Sequence, residues 1–363
     1  APFLLLGLPA GAWVDRMRRR RVLIVADLAR GAVLATVPLA WWADALTIGQ
    51  LYAVAFAFGV CTLFFDVAYQ SYLPHLVGRG NLVEGNAKLE SVRAVAQLGG
   101  PALAGQVIRL LSAPVALLVN GAAMAASALY VVRIRKREEK PVRSPDAHLL
   151  KEIREGLRFV LGHRLLRAIV TCTASFNLLS SAFFPMMILY LERGLDQDAG
   201  AIGMFLTVWG AGGLLGAALA RRLAGWLGQG PAIWMSVAFT TPFVLVLPVF
   251  AEPGWRLWVA AAAGFVTSIG VVVYNVTQVS FRQALTPDRM LGRMNATIRF
   301  IVFGTMPVGG LLGGVLGEWL GVRDALLVVA LAQCAAFLPV FLSPLRTMRT
   351  LPTQPDATEP ARA

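Results

Sequence analysis

Charge is scarce in this 363-residue chain: Asp, Glu, Lys and Arg make up 15% of it, against 57% hydrophobic residues. The apolar residues fall in runs of about twenty, the length that crosses a bilayer as helix, so the composition describes a polytopic, all-α membrane protein. Cysteine is scarcer still. Cys61, Cys172 and Cys334 stand singly inside apolar runs, which excludes a disulfide framework and a thiolate metal site and leaves them as small packing residues. The three histidines, His75, His148 and His163, are far apart. No G-x-x-x-x-G-K-[ST] phosphate loop, H-E-x-x-H helix or C-x-x-C pair occurs, so the residues for ATP hydrolysis, zinc chemistry or thiol redox work are missing. The reading is no enzyme, no cofactor and no metal. Acid is also in deficit, 20 residues against 33 basic ones for a net charge of +13. The basic residues sit in short blocks between apolar runs, without the interleaved aromatics or continuous basic face that nucleic acid requires, so a nucleic-acid partner is excluded.

What is present is a series of eleven apolar spans near 1–14, 22–42, 49–73, 92–112, 114–133, 165–190, 200–220, 231–251, 255–279, 295–317 and 324–344. Most of the basic residues occupy alternate loops and the tail, while the intervening loops hold Arg109, Arg193, Arg256 and Arg323. The positive-inside rule makes the rich side cytoplasmic and places the C-terminus there. The first span, about fourteen residues, is short for an unaided crossing, and Ala1 is not an initiator Met. The expectation is a chain truncated at its N-terminus, with one further helix upstream and twelve spans in total.

An internal repeat fits that count. Gly7-x3-Gly11-x3-Asp15-Arg16 recurs as Gly212-x3-Gly216-x3-Ala220-Arg221, Asn86-Ala87 as Asn295-Ala296, and Arg93-x7-Pro101 as Arg299-x7-Pro307, so the halves are parallel copies. The expected domains are an N-terminal helix bundle at 1–133 lacking its first helix, a linker at 134–164, a C-terminal six-helix bundle at 165–345 and a disordered cytoplasmic tail at 346–363. Within the linker, Leu149, Leu150, Ile153, Leu157, Val160 and Leu161 share one helical face. Such a helix suits either the membrane interface or packing on the loops.

The strongest local signal lies between Gly7 and Arg21, where an apolar helix end runs into Asp15, Arg16 and a block of four further arginines. With the repeat and the long middle loop, this stretch resembles the major facilitator superfamily. Its loop signature G-x-x-x-D-R-x-G-R-R is met by Gly11, Asp15, Arg16, Arg19 and Arg20, with Arg18 replacing the second glycine. That departure, and the stretches at 26–31, 86–93 and 286–296, are similar to a bacterial branch that includes enterobactin-type siderophore exporters and macrolide efflux proteins. The resemblance implies a fold of two six-helix parallel repeats, with eleven of twelve transmembrane helices in this chain.

Physical roles can be attached to these residues. Gly7 and Gly11 let helix backbones approach closely. Asp15, with Arg16, Arg19 and Arg20 beside it, reads as a conformational latch, and the resemblance adds Asp66 through a bond to Arg19; Arg18 and Arg21 read as topology anchors. Ionisable residues inside spans are costly and usually face inward, which makes Asp27, Arg30 and Asp66 an expected ion or coupling network, with a static Asp27–Arg30 bridge as the plainer alternative. Gly99, Gly100, Pro101 and Gly105 resemble the superfamily's antiporter motif, ordinary close packing being the alternative. Superfamily architecture directs Phe64, Gln97, Phe176, Asn177, Trp209, Tyr274, Asn275 and Gln278 toward a central substrate cavity, a few polar atoms in an aromatic surface.

The expected function is secondary active transport by alternating access: proton-coupled export of a lipophilic drug, macrolide or siderophore-like small molecule. The expected partners are that substrate, a proton or other coupling ion and the bilayer, for a monomer in a bacterial-type inner (plasma) membrane. An importer on the same fold and a non-transporting receptor or scaffold are the alternatives.

Overall fold

The computed structural model describes residues 2–134 and 149–350; residues 135–148 of the expected linker and 351–363 of the expected tail lie outside the described residues, as do the side chains of Gln97, Pro101 and several neighbours up to residue 113. The described chain is helical throughout its ordered elements. The first series is α1 (Pro2–Asp15), α2 (Arg19–Trp42), α3 (Ile48–Val77), α4 (Leu82–Leu111) and α5 (Ala113–Arg133). After α6 (Leu149–Gly162) come α7 (Arg164–Leu189), α8 (Ala199–Leu227), α9 (Gln229–Thr240) and α10 (Val246–Phe250). The last are α11 (Trp255–Leu285), α12 (Leu291–Leu320), α13 (Val322–Cys334) and α14 (Leu338–Phe341). Each of the eleven expected spans falls on this series. Nine helical stretches among the described residues are long and apolar enough to cross a membrane. α1, with 14 residues, and α4, whose second half is only partly described, are outside that count.

Local chemistry sets several boundaries. The Thr47 hydroxyl accepts the Gln50 N–H at 3.2 Å and starts α3; the Asp198 carboxylate accepts the Ala201 N–H at 2.7 Å and starts α8. Gly78 and Gly228, at φ of 78° and 91°, end α3 and α8 in a backbone region that other residues rarely enter. Pro242, which has no N–H to continue the α-helical ladder, sits in the 3-10 turn Thr241–Leu245 that joins α9 to α10.

The chain forms two packing units. The first comprises Ala1–Arg79, Gly99–Gly162 and Thr286–Phe300; the second comprises Gly80–Leu98, His163–Leu285 and Ile301–Ala363. These are not the two halves drawn from hydropathy. The early part of α4 packs in the second unit, and its repeat counterpart, the early part of α12, packs in the first. Matching side-chain bonds hold the exchanged segments. In the first unit Asn295 Nδ2 donates to Ser71 Oγ at 3.2 Å, and in the second Asn86 Nδ2 donates to Ser280 Oγ at 3.0 Å and Gln283 Oε1 at 2.8 Å. The same pair of residues, at the same spacing, is used twice.

The first unit has a core of Ala10, Val14, Leu63, Val67, Ala68, Tyr72 and Ala296. Gly31 and Gly121 bring α2 and α5 together; a Cβ on Gly31 would lie 3.1 Å from the Gly121 carbonyl oxygen. α6 packs on α1 and the start of α12. A Cβ on its Gly156 would meet Thr297 Oγ1 at 3.1 Å and Arg293 Cβ at 3.2 Å, and its Val160 is buried while Leu150 and Leu161 stay exposed. In the second unit α11 is central, with α8 and α9 against it. Gly212 and Gly216 of α8 face Phe265 and Ile269, and Gly270 faces Thr240 and Ser236 of α9. Small residues replace a hydrophobic drive that lipid cannot supply.

The expectation of a disordered tail from Arg346 is corrected for its first residues. Pro344–Thr347 form a 3-10 turn with Leu345 buried, and the carbonyls of Met348 and Arg349 accept the N–H groups of Gly230 and Gln229 at 2.7 and 3.1 Å. Those N–H groups open α9 and have no partner inside it, so the tail supplies their acceptors.

Candidate functional site

At the basic end of the first unit, the last residue of α1 completes the first turn of α12. Asp15 Oδ1 accepts the Gly292 N–H at 2.7 Å and Oδ2 accepts the Arg293 N–H at 2.9 Å. Gly292 and Arg293 are the second and third residues of α12, whose N–H groups lack acceptors within the helix. Asp15 thus does the work of an N-cap from another helix, with its charge at the positive end of the helix dipole. The approach depends on small residues: a Cβ on Gly11 would stand 2.4 Å from Ala296 Cβ and 2.8 Å from the Gly292 carbonyl oxygen, and Gly7 faces Phe300. Gly7, Gly11 and Asp15 form one stripe, opposed by Phe300, Ala296 and Gly292.

Charges surround the cap. Arg19 Nη2 lies 3.9 Å from Asp15 and also donates to the Asp288 carbonyl; Arg293 Nε lies 3.6 Å from Asp15, and its Nη1 donates to Glu155 of α6 at 2.7 Å. Arg79 donates to Asp288 Oδ1 at 2.7 Å and the Thr286 carbonyl at 2.9 Å. Asp15 lies past the last apolar residue of α1, and burial raises its carboxyl to about 7 against the lowering pull of the Arg293 and Gly292 N–H groups and of the Arg19 and Arg293 charges.

The expected latch residues divide. Gly11, Asp15 and Arg19 are at the contact. Arg20 is not: its guanidinium donates to the carbonyls of Val131 and Val132 in the last turn of α5, a C-terminal cap in favourable dipole orientation. Arg16 borders a groove on α2. Asp66 pairs with Arg299 Nη1 at 2.9 Å instead of Arg19. The expected single network of Asp27, Arg30 and Asp66 is two separate pairs, because Arg30 closes on Asp27 one helical turn away and lies 4.1 Å over the Phe65 ring. Arg79, Glu155, Asp288, Arg293 and Arg299 were not anticipated. Asp288 and Arg293 fall inside the quoted stretch 286–296, which was the available signal.

The antiporter-like motif does not show close packing where it is described: a Cβ on Gly99 or Gly100 would meet nothing within 4 Å. Pro101 and Gly105 lie outside the described side chains. By contrast, Gly309 and Gly313 of α12 sit against the α7 backbone at Leu178 and Ala182.

Two of the expected cavity residues are core residues of the second unit. Tyr274 is buried, its hydroxyl 2.6 Å from Thr173 Oγ1, and Gln278 is buried and accepts from Arg282 at 3.4 Å. Trp209 packs on Phe183 and Phe205, over Gly264, which has no side chain to displace it. Phe176 borders the cluster around Ile169 and Tyr274, Asn177 donates to the Thr173 carbonyl at 2.8 Å, and Asn275 is half-buried. In the first unit Phe64 stacks on Trp13 at 5.9 Å. Gln97 lies outside the described side chains.

A bundle of long apolar helices built from two copies, with an acidic helix end capping a helix of the other copy, defines an all-α membrane transporter of the major facilitator fold. The chain belongs to the transmembrane secretion effector family of that superfamily, whose profile matches residues 1–362. It is 28% identical over 367 residues to the multidrug efflux pump Tap of Mycolicibacterium fortuitum, covering 96% of this chain and 86% of the relative. It is 24% identical over 356 residues to macrolide efflux protein A of Streptococcus pyogenes, covering 96% and 86%. Among solved structures, a bacterial homologue of the iron transporter ferroportin in an outward-facing state superposes with a TM-score of 0.73 at 15% identity, covering 94% of this chain and 87% of that one. The Escherichia coli fucose:proton symporter superposes with a TM-score of 0.71 at 14% identity, with coverage of 94% and 87%. These likenesses show the fold. Family and relatives are transporters, not enzymes, and the chain is a multi-pass membrane protein.

Proposed function

We propose that this protein exports lipophilic drug-like, macrolide or siderophore-like molecules by alternating access, coupled to proton entry, as a monomer in a bacterial-type inner membrane with its basic loops and C-terminus in the cytoplasm. The observation that carries the reading is the Asp15 cap on α12. A cap supplied from another helix is a contact that exists in one arrangement and is lost in another, which is what a gate at one end of a transporter requires. The efflux relatives support the direction of transport, and the basic loops support the orientation.

Asp15 also offers a route to coupling. Burial raises its carboxyl to about 7 in the closed contact, well above the usual carboxylate range, so closing the latch takes up a proton and opening it releases one on the cytoplasmic side. Asp66 and Asp27 are paired with Arg299 and Arg30. Phe176, Asn177, Trp209 and Asn275 remain the substrate-facing candidates, with Phe64 and Gln97 from the first repeat. The test is accumulation of macrolides, lipophilic dyes and siderophores in efflux-deficient cells expressing the protein, with a protonophore control. Lowered accumulation that the protonophore abolishes is expected. Unchanged accumulation despite good membrane expression would favour import or a receptor role.

A further inference from the structure

The first unit contains a groove of about 580 Å³ that the latch does not use. Its floor is apolar: Val22, Val25, Ala26 and Ala29 of α2 face Val60, Cys61 and Phe64 of α3. Its mouth is basic, formed by Arg16, Arg18 and Arg21, and none of its lining residues is acidic. Arg18 Nε is buried there without a hydrogen-bond partner. Three guanidinium groups at one mouth with no carboxylate among the lining residues make a site for an anion from outside the chain. The start of α2 adds to the demand, because Arg18, its N-cap residue, has no side-chain acceptor for the first N–H groups.

The two halves of the groove are ordered along the membrane normal. The arginines stand where α2 begins, and the apolar walls extend about 12 Å further along it, eight residues at 1.5 Å each from Arg21 to Ala29. A charged head at the interface continuous with an apolar tail in the hydrocarbon is the chemistry of a phospholipid. A free phosphate would leave the apolar walls unused, and a neutral lipophile would bring no counter-charge to the three arginines.

We propose that this groove binds one anionic phospholipid of the leaflet on the basic side, its phosphate on Arg16, Arg18 and Arg21 and an acyl chain between α2 and α3. Arg18, the residue that departs from the superfamily's loop signature, is then a lipid ligand in place of a topology anchor.

The test uses the full chain in nanodiscs of phosphatidylcholine with a minor fraction of phosphatidylglycerol, with diazirine groups on the acyl chain of one or the other lipid and adducts mapped by mass spectrometry. Phosphatidylglycerol adducts are expected on the segments 22–29 and 60–64, in excess over phosphatidylcholine. Arg18→Gly and Arg21→Gln should each cut that excess about five-fold, the weight of one basic residue near an anionic surface, while Arg18→Lys keeps most of it. Ala29→Trp fills the groove and should abolish labelling with the arginines intact. Monodisperse elution of each variant confirms folding. Equal labelling by the two lipids, or an excess that survives Arg18→Gly, overturns the proposal. Displacement of the label by glycerol 3-phosphate would assign a free-phosphate site, and displacement by an exported macrolide a substrate entry, and either result rejects the lipid.

Discussion

The end of α1 and the end of α8 are counterparts in two copies of one repeat, yet they make opposite contacts. At α1, Asp15 is buried and bonds the N–H groups of Gly292 and Arg293 in α12. At α8 the corresponding residue is Ala220, buried among Val83, Ala87 and Ala217, and the polar link is Arg221 to Glu84 of α4 at 2.9 Å on an exposed surface. Glu84 corresponds to Arg293, so the polarity is reversed as well as moved outward. The difference teaches that the repeat preserves the scaffold, through the two Asn–Ser bonds, and concentrates the charged contact at one end only. A buried, desolvated carboxylate with two N–H donors responds strongly to change; an exposed ion pair contributes little.

Four experiments bear on that contrast. The largest effect is expected from Ala220→Asp, which places a carboxylate in an apolar cluster beside Glu84 and should cost about 3 kcal/mol or more, read as lost membrane expression. Adding Glu84→Arg should restore expression and create a second cap, slowing transport. If Ala220→Asp alone expresses and transports normally, the contrast is broken. Next is Gly11→Leu, whose side chain meets Ala296 and the Gly292 carbonyl; overpacking of this kind costs about 1–3 kcal/mol and should reduce efflux at least ten-fold, with disulfide trapping between cysteines introduced on α1 and α12 reporting the lost contact.

Asp15→Asn keeps one acceptor and loses the charge, a change of about 1 kcal/mol, so efflux should fall about five-fold with expression unaltered. The same variant tests the pH response. Since the carboxyl is raised by burial, the closed latch gains stability relative to the open one as pH falls through about 7 toward 4. Arg19 and Arg293 face Asp15, and Glu155 lies behind Arg293, so the trapping yield should rise on acidification in the parent and be flat in Asp15→Asn. A parallel slope in both assigns the response elsewhere. The smallest effect belongs to Glu84→Gln, which should leave efflux within about two-fold, measured in the same cells.

Much of the fold was legible because length and hydropathy mark helices that lipid must cover, and because Gly7, Gly11 and Asp15 lie at helical spacing. Their opposing stripe was not legible, since Ala296 and Gly292 are brought there by tertiary pairing that no local period records. The resemblance pairs Asp66 with Arg19, but both Arg19 and Arg299 lie near the basic end, and only packing chooses Arg299. Superfamily architecture points Tyr274 and Gln278 toward the cavity; α11 is instead enclosed on most sides, and their polar groups bond to Thr173 and Arg282. Arg346 opened what composition marks as a loose tail, yet the unpartnered N–H groups of α9 drew its first residues into order.

The seat of α6 on Gly156 and the Glu155–Arg293 bond have a mechanical consequence. Only His163 separates α6 from α7, so α7 is joined through a one-residue pivot to a lever clamped on α1 and α12. Cutting the chain between 135 and 148 would leave this linkage whole.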